Sequence, residues 1–320
     1  MNLTQPATEA WAVPVMHPAA SGHLDPGAEF AGAVPPAATA RGPLAIGADP
    51  GTRRPLHVRL WDPRDGAKVV MVTARTGGGA TVLLDDLAER VTACDDAVLL
   101  QVSLPGAPDS AEWGPLAAAS AHGDAARALR ILAFADALVT GRRSADRAAR
   151  IHQPAPEAPL YVLAIDGADA VASVPGAGPL LRAVVSTGRA EGVAVVMTGP
   201  ISAARTGGGV MSQVTTAVFG HGTRAPGAVL PSLGEYGAGR PGAFGVADLP
   251  ADGAGFARGR AFSWGETPDG MRRLIAARAA VRRPHQLEPA LQALQPLWDA
   301  ITSAAPDDGR DAGGARPGNL

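Results

Sequence analysis

The sequence predicts an α/β fold in which a mainly parallel sheet is flanked by helices. Three stretches carry that expectation. Residues 68–91, KVVMVTARTGGGATVLLDDLAERV, open with a short β-branched run (Val69, Val70, Met71, Val72) and pass through Gly77, Gly78 and Gly79. They then place Leu83, Leu84, Leu87 and Val91 at helical spacing, with Asp85, Asp86, Glu89 and Arg90 as the polar face. Residues 160–166, LYVLAID, form an unbroken apolar run ending in Asp166, the pattern of a strand buried on both faces. Residues 193–197, VAVVM, repeat it after a helix over 179–191. Strands alternating with helices pair in parallel, and ligands bind at their carboxyl ends.

Taken in order, residues 1–41 are rich in Ala and Pro without a period and are expected to be a disordered tail. Residues 42–62 hold two apolar stretches around a Pro/Gly turn, a hairpin leading into the core strand. A strand over 97–102 precedes a Pro/Gly loop and a long helix over 124–150, with Ala128, Ile131, Leu132, Ala135 and Leu138 on one face. Beyond residue 210 come short strands at 216–219, 242–246, 258–262 and 272–276, separated by Gly/Pro turns. Residues 287–301 read as a helix kinked at Pro296, and 304–320 as a polar, disordered tail. The domain division is therefore a main domain over 42–284, a C-terminal helical segment over 285–303, and two tails. The string ARTGGG occurs at 74–79 and again at 204–209. The second copy opens no comparable helix and reads as a flexible loop.

Composition narrows the function. A net charge of −2 gives no general attraction to nucleic acid or to an acidic membrane surface. A single cysteine, Cys94, excludes an internal disulfide and suits a reducing cytoplasm. No apolar run approaches the roughly 20 residues that span a bilayer, and no signal peptide is evident. The expectation is a soluble, cytoplasmic protein. Lys68 is its only lysine. The histidines (His17, His23, His57, His122, His152, His221, His285) are scattered, and each reads as surface or structural.

Strand, glycine loop and helix together form the layout of a phosphate-binding loop, where main-chain N–H groups and a helix N-terminus converge on an anion. Aligned on Gly79, the motif G-x-x-x-x-G-K-[ST] puts its first glycine on Ala74, its lysine on Ala80 and its hydroxyl on Thr81. Candidate nucleotide-binding residues are Thr76, Gly77, Gly78, Gly79, Ala80 and Thr81. Asp166 either holds Mg²⁺ together with Thr81, as a strand-terminal carboxylate beside such a loop can, or is a solvated residue starting the Asp166-Gly167 turn.

With these pieces in order, the chain resembles the motor domain of the FtsK/SpoIIIE family of DNA-translocating P-loop ATPases. PLAIGAD (43–49) looks like that family's opening hairpin. ARTGGGAT is similar to its G-x-T-G-S-G-K-S loop, matching at Thr76, Gly77, Gly79 and Thr81. LYVLAID is similar to its Walker B strand. STGRAEGVAVVMTGP (186–200) resembles its G-R-A-x-G-[IV]-H-[LV]-x-x-A-T-Q-R-P phrase at Gly188, Arg189, Ala190, Gly192, Val193 and Val195, and Arg240-Pro241-Gly242 is a weaker match. The resemblance implies a P-loop NTPase with a RecA-like core, and ATP and Mg²⁺ as cofactors. It also implies double-stranded DNA, an active FtsK/SpoIIIE-like ATPase and further copies of the chain as partners.

The departures fall on the chemistry. Ala80 replaces the lysine, Gly167 replaces the glutamate after the Walker B aspartate, and Pro200 stands where a glutamine is expected. Phosphoryl transfer depends on positioning and charge stabilisation, so these losses argue against fast hydrolysis. The leading expectation is a degenerate, non-hydrolysing nucleotide-binding domain that supports an active motor. An active DNA translocase and an α/β domain that binds no nucleotide remain the alternatives. Two arginine groups (Arg142, Arg143, Arg147, Arg150; Arg272, Arg273, Arg278, Arg282, Arg283) are candidates for phosphate contacts or are simply solvated.

Overall fold

The computed structural model describes residues 39–48, 55–74, 78–104, 114–145, 150–199, 201–206, 208–220, 223–224, 235–236, 243–248, 256–261, 275 and 285–303. Its elements in chain order are β1 (Pro43–Ala48), β2 (Pro55–Arg59), β3 (Trp61–Asp62), β4 (Gly66–Ala67), β5 (Val69–Thr73), α1 (Ala80–Thr92), β6 (Ala97–Ser103), β7 (Ala119–His122), α2 (Ala125–Ser144) and β8 (Leu160–Asp166). There follow α3 (Ala168–Ala172), α4 (Ala177–Thr187), β9 (Val193–Thr198), α5 (Ala203–Thr206), β10 (Thr216–Gly220), β11 (Thr223–Arg224), β12 (Glu235–Tyr236), β13 (Ala243–Asp248), β14 (Phe256–Ala261) and α6 (Gln295–Thr302).

One ten-stranded sheet organises the chain, in the order β2-β1-β14-β13-β10-β5-β9-β8-β6-β7. The run from β10 to β7 is parallel throughout. Beyond β10 the sheet continues antiparallel through β13, β14, β1 and β2. The glycine-loop strand β5 and the aspartate strand β8 are thus separated by one strand, β9. The hairpin read over 42–62 is present as β1 and β2.

The central strands are buried along their whole length because both faces are covered. Alternate side chains go to opposite layers, as a pleated strand requires. Val69, Met71, Leu163, Ile165, Val195 and Met197 join the core beneath α2, α4 and α6. Val70, Val72, Val162, Ala164, Ala194 and Val196 join the core beneath α1. That geometry is why these segments read as continuous apolar runs.

Helix α2 begins where Asp124 Oδ1 accepts the Arg127 N–H at 2.9 Å, an N-cap that satisfies one donor of the first turn. Its predicted apolar face (Ala128, Ile131, Leu132, Ala135, Leu138) is buried. The C-terminal segment packs into the same core through Leu287, Leu291, Trp298 and Ile301. Arg142 of α2 fastens it. Its guanidinium pairs with Glu288 (Nε to Oε1 3.1 Å) and donates to the carbonyls of Glu191 (2.6 Å) and Pro159 (2.7 Å).

Several expectations need correction. Residues 287–301 are not one kinked helix: a 3₁₀ turn over Pro289–Leu294 leads into α6, and Pro296 sits in the first turn of α6. A first turn leaves its N–H groups without intrahelical partners, so proline is tolerated there. The acidic face expected on α1 is buried, with Asp85 6%, Asp86 0% and Glu89 0% exposed. The helix lies against β1 and β14 as well as against the central strands, so its flanks are covered. Of the strand expected at 272–276 only Ile275 is described, and its backbone is helical. Residues 203–206, which overlap the start of the second ARTGGG copy, form the short helix α5. Strand β7 was not expected at all. Residues 1–38, the C-terminal tail, Arg147, the second arginine group, His17, His23, His221, Pro200 and the stretch 240–242 lie outside the described residues, whereas residues 39–41, assigned to the disordered N-terminal tail, are placed, with the Ala40 N–H donating to Asp96 Oδ1 at 2.7 Å. No described helix is long and apolar enough to cross a membrane.

Candidate functional site

The carboxyl ends of β5, β9 and β8 lie side by side, and α1 starts beside them. Of the predicted nucleotide-binding residues, Thr76 and Gly77 lie outside the described residues, as does Arg75. Gly78 is buried. Gly79 takes φ 91° and ψ 19°, a left-handed conformation that glycine adopts without steric cost, and it leads directly into α1. Its carbonyl accepts the Leu83 N–H at 3.0 Å, so the amides of residues 80–82 precede the first intrahelical bond. Among the described residues no side chain caps this end, and the first turn carries no acid. Those amides and the positive end of the helix dipole suit an anion.

Ala80, at the lysine position, is half-buried and packs against the apolar layer beneath α1. Lys68 is no substitute. It stands at the amino end of β5, about 17 Å of strand from the loop, and its Nζ is paired with Asp65 at 2.7 Å.

Thr81 and Asp166 are brought together. Thr81 Oγ1 lies 3.5 Å from Asp166 Oδ2, long for a hydroxyl–carboxylate bond. The other carboxylate oxygen is fixed, because Oδ1 accepts from Thr198 Oγ1 at 2.6 Å, and Thr198 Oγ1 in turn accepts the Gly167 N–H at 2.8 Å. Asp166 is therefore held in place and its second oxygen is directed at Thr81. Two hard oxygens, one anionic, are the donor type that Mg²⁺ takes from a protein beside phosphates. Thr198 was missed in the sequence, where its only signal is a hydroxyl closing the apolar run 193–197.

Gly167, at the glutamate position, is more than an absent carboxylate. It has φ 73°, and a Cβ built on it would lie 2.8 Å from the carbonyl oxygen of Leu104. A side chain there requires the backbone to move. Beyond it, a cleft of about 410 Å³ is lined by Gly167, Ala168, Thr198, Gly199, Ile201 and Ser202. At its rim Arg205 pairs with Asp169 at 3.0 Å, both partly exposed. Gly220 closes the opposite side: a Cβ there would meet Ala74 Cβ at 2.7 Å and Gly78 O at 3.0 Å.

The arginines named for phosphate contacts are not equivalent. Arg142 is 2% exposed and engaged as described above, so it cannot reach a polyanion. Arg143 and Arg150 are exposed.

No family model matches the chain, and no curated protein matches it in sequence. Solved structures do. The cytoplasmic domain of the type VII secretion ATPase EccC of Thermomonospora curvata aligns with TM-score 0.60 at 15% identity, over 78% of this chain and 32% of that one. ATPases 2 and 3 of EssC from Geobacillus thermodenitrificans align with TM-score 0.57 at 13% identity, over 85% and 55%. The pCW3 conjugation coupling protein TcpA, in a monomer form with ATPγS, aligns with TM-score 0.57 at 12% identity, over 82% and 75%. The chain spans about a third of the EccC structure and about half of the EssC structure. At such identities the likeness is one of fold, and by that likeness the chain has the fold of FtsK/SpoIIIE-type P-loop ATPase domains.

Proposed function

We propose that this chain is a degenerate FtsK/SpoIIIE-like nucleotide-binding domain. In this reading it holds ATP weakly and hydrolyses it slowly or not at all. It acts as a structural or regulatory partner of an active ATPase that moves DNA or protein. ATP sits with its phosphates on the amides from Gly78 to Thr81, and Thr81 and Asp166 hold the Mg²⁺, whose charge offsets that of the phosphates. Asp166 is oriented by Thr198, and Ala80 leaves the terminal phosphate without its lysine.

The observation that carries the reading is the crowding at Gly167. A catalytic carboxylate is missing from a position where the fold has closed over its space, next to the Thr81–Asp166 pair that would hold the cation. The neighbours support a place beside a motor, since EccC and EssC are secretion ATPases and TcpA a conjugation coupling protein. An EccC structure also carries a signal-sequence peptide, which makes a protein cargo as good a candidate as double-stranded DNA. Burial of Arg142 and a net charge of −2 weaken the case for DNA. Assembly as a ring of like copies, or with an active paralogue, belongs to the same proposal.

The test is ATP turnover by the purified chain with and without DNA, alongside nucleotide-induced thermal stabilisation. The expected result is stabilisation by Mg·ATP, lost in Gly79→Trp, with no turnover above background. Turnover that disappears in Asp166→Ala would make the protein a working motor. No thermal shift in the unmodified chain would leave an α/β domain without nucleotide.

A further inference from the structure

Strands β8 and β9 are neighbours, and each ends in a turn at the carboxyl edge of the sheet. The turn after β8 runs from Gly167 into α3, and the turn after β9 leads to α5. Two sets of bonds join these turns. The inner set is made by Thr198, which donates to Asp166 Oδ1 and accepts the Gly167 N–H. The outer set belongs to Asp169, in the first turn of α3. Its Oδ1 accepts the Ser202 N–H at 3.0 Å, and its Oδ2 faces Arg205 Nε at 3.0 Å. The cleft described above lies between the two sets, with residues 167–170 on one wall and 198, 199, 201 and 202 on the other.

The far side of the outer set is firmly backed. Helix α5 is seated against α4, where Gly178 has no room for a Cβ beside the Arg205 carbonyl, and Ile201 is buried in the core. The near side is α3, which has five residues, too few to hold a helical shape without outside support. Asp169 ties the start of that helix to the fixed body behind it. Its two bonds are unequal. The Arg205 and Asp169 side chains are 44% and 42% exposed, and an ion pair so open to solvent is worth little. The bond from the Ser202 amide is charge-assisted and is the stronger tie.

We propose that Asp169 is a positioning residue for the cation site. By tying the start of α3 to Ser202, it holds the Gly167 turn where Thr198 can grip both the Gly167 N–H and the Asp166 carboxylate. The proposal rests on the Thr81–Asp166 end of the nucleotide-binding reading above. Asp169 acts through Gly167 and Thr198 and touches no cation itself. With the tie cut, Gly167 moves away from Thr198, and Asp166 loses its fixed aim at Thr81.

Amide hydrogen exchange of the full chain, without nucleotide, reads the tie directly. Asp169→Ala is expected to speed exchange of the Gly167 amide about five- to tenfold, the worth of one partly exposed charge-assisted bond. The Val195 amide within β9, bonded to the Lys68 carbonyl, keeps its rate. Asp169→Asn, which retains an acceptor for Ser202, recovers the parent rate at Gly167. With nucleotide, the Mg²⁺ needed for half of the ATPγS-induced thermal shift rises about three- to tenfold in Asp169→Ala, while affinity for Mg²⁺-free ATPγS changes less than about twofold. An unchanged Gly167 rate, a Val195 rate raised as much as that of Gly167, an asparagine variant no better than alanine, or an unchanged Mg²⁺ requirement would each overturn this proposal and leave nucleotide binding intact. An unmodified chain with no nucleotide-induced shift overturns both.

Discussion

Thr198 donates its hydroxyl to Oδ1 of Asp166 at 2.6 Å while accepting the amide of Gly167 at 2.8 Å. One side chain thus fixes the carboxylate and the turn that follows it, across two adjacent strands. Thr198→Val is nearly isosteric and removes both bonds. The expected cost is about 1–3 kcal/mol in denaturant unfolding, the penalty for stranding a partly buried amide and carboxylate. Because Asp166 is then free to rotate, the Mg²⁺-dependent part of the ATP-induced thermal shift falls sharply. A variant as stable and as Mg²⁺-responsive as the parent would contradict this.

Gly79 and Gly167 both have positive φ but differ in space. Among the described residues nothing lies within 4 Å of a Cβ on Gly79, whereas one on Gly167 meets Leu104 O at 2.8 Å. Gly79→Ala is expected to cost only the left-handed strain, about 1–2 kcal/mol. Gly167→Ala costs that and a backbone displacement, about 2–4 kcal/mol in all. Gly167→Glu consequently fails to restore hydrolysis, alone or with Ala80→Lys, and lowers the melting temperature. Ala80→Lys by itself raises ATP affinity about tenfold through a charge-assisted bond to phosphate, less any cost of dislodging Ala80 from the apolar layer.

The fold was legible where burial is symmetrical. A strand covered on both faces carries few polar side chains, so 69–72, 97–102, 160–166 and 193–197 read as apolar runs, Gln101 being the one polar residue inside them before the terminal Asp166. Strand β7 did not, because Ala119-Ser120-Ala121-His122 is short and its inward residues are alanines, too small to stand out. With it went His122, which looked like one scattered histidine among seven. The site was half legible. The glycine loop and Asp166 are local patterns, but the Thr198 bond depends on β9 lying between β5 and β8, and strand order is not written in any segment. The acids of α1 misled for a related reason: a helix in contact with β1 and β14 has no solvent face at Asp86 and Glu89, although its own periodicity provides one.

His122 gives the fold an acid sensitivity. Burial, then Arg127, lowers its pKa from the model-peptide value of 6.5. A histidine whose folded pKa is lowered binds fewer protons folded than unfolded. Stability contributed by its neutral form is therefore complete above pH 6.5 and is lost as pH falls below it. The melting temperature is expected to drop between pH 7.5 and pH 5.5, and His122→Gln to narrow that drop. An equal drop in the variant would place the sensitivity elsewhere.

The attachment of the C-terminal segment makes the last prediction. Arg142 is buried and surrounded by Glu288, the carbonyls of Pro159, Glu191 and Gly192, and the Tyr161 ring at 5.2 Å. Fifteen residues earlier on the same helix, Arg127 donates to the Ile301 carbonyl at 2.8 Å. Two arginines on one helix thus hold both ends of residues 288–301, and Trp298 between them packs on Phe134 at 5.2 Å. Arg142→Met leaves Glu288 buried without its cation and strands three carbonyls, which is expected to cost about 3–5 kcal/mol. Glu288→Gln leaves the guanidinium its carbonyl partners and costs less, about 1–3 kcal/mol. The double variant costs less than the sum of the two, since the second change removes a charge already unpaired. Denaturant unfolding of the four proteins measures the coupling, and additive losses would mean the pair is incidental. If DNA binds at all, Glu288→Gln leaves its salt-dependent affinity unchanged, because Arg142 stays buried with its remaining partners.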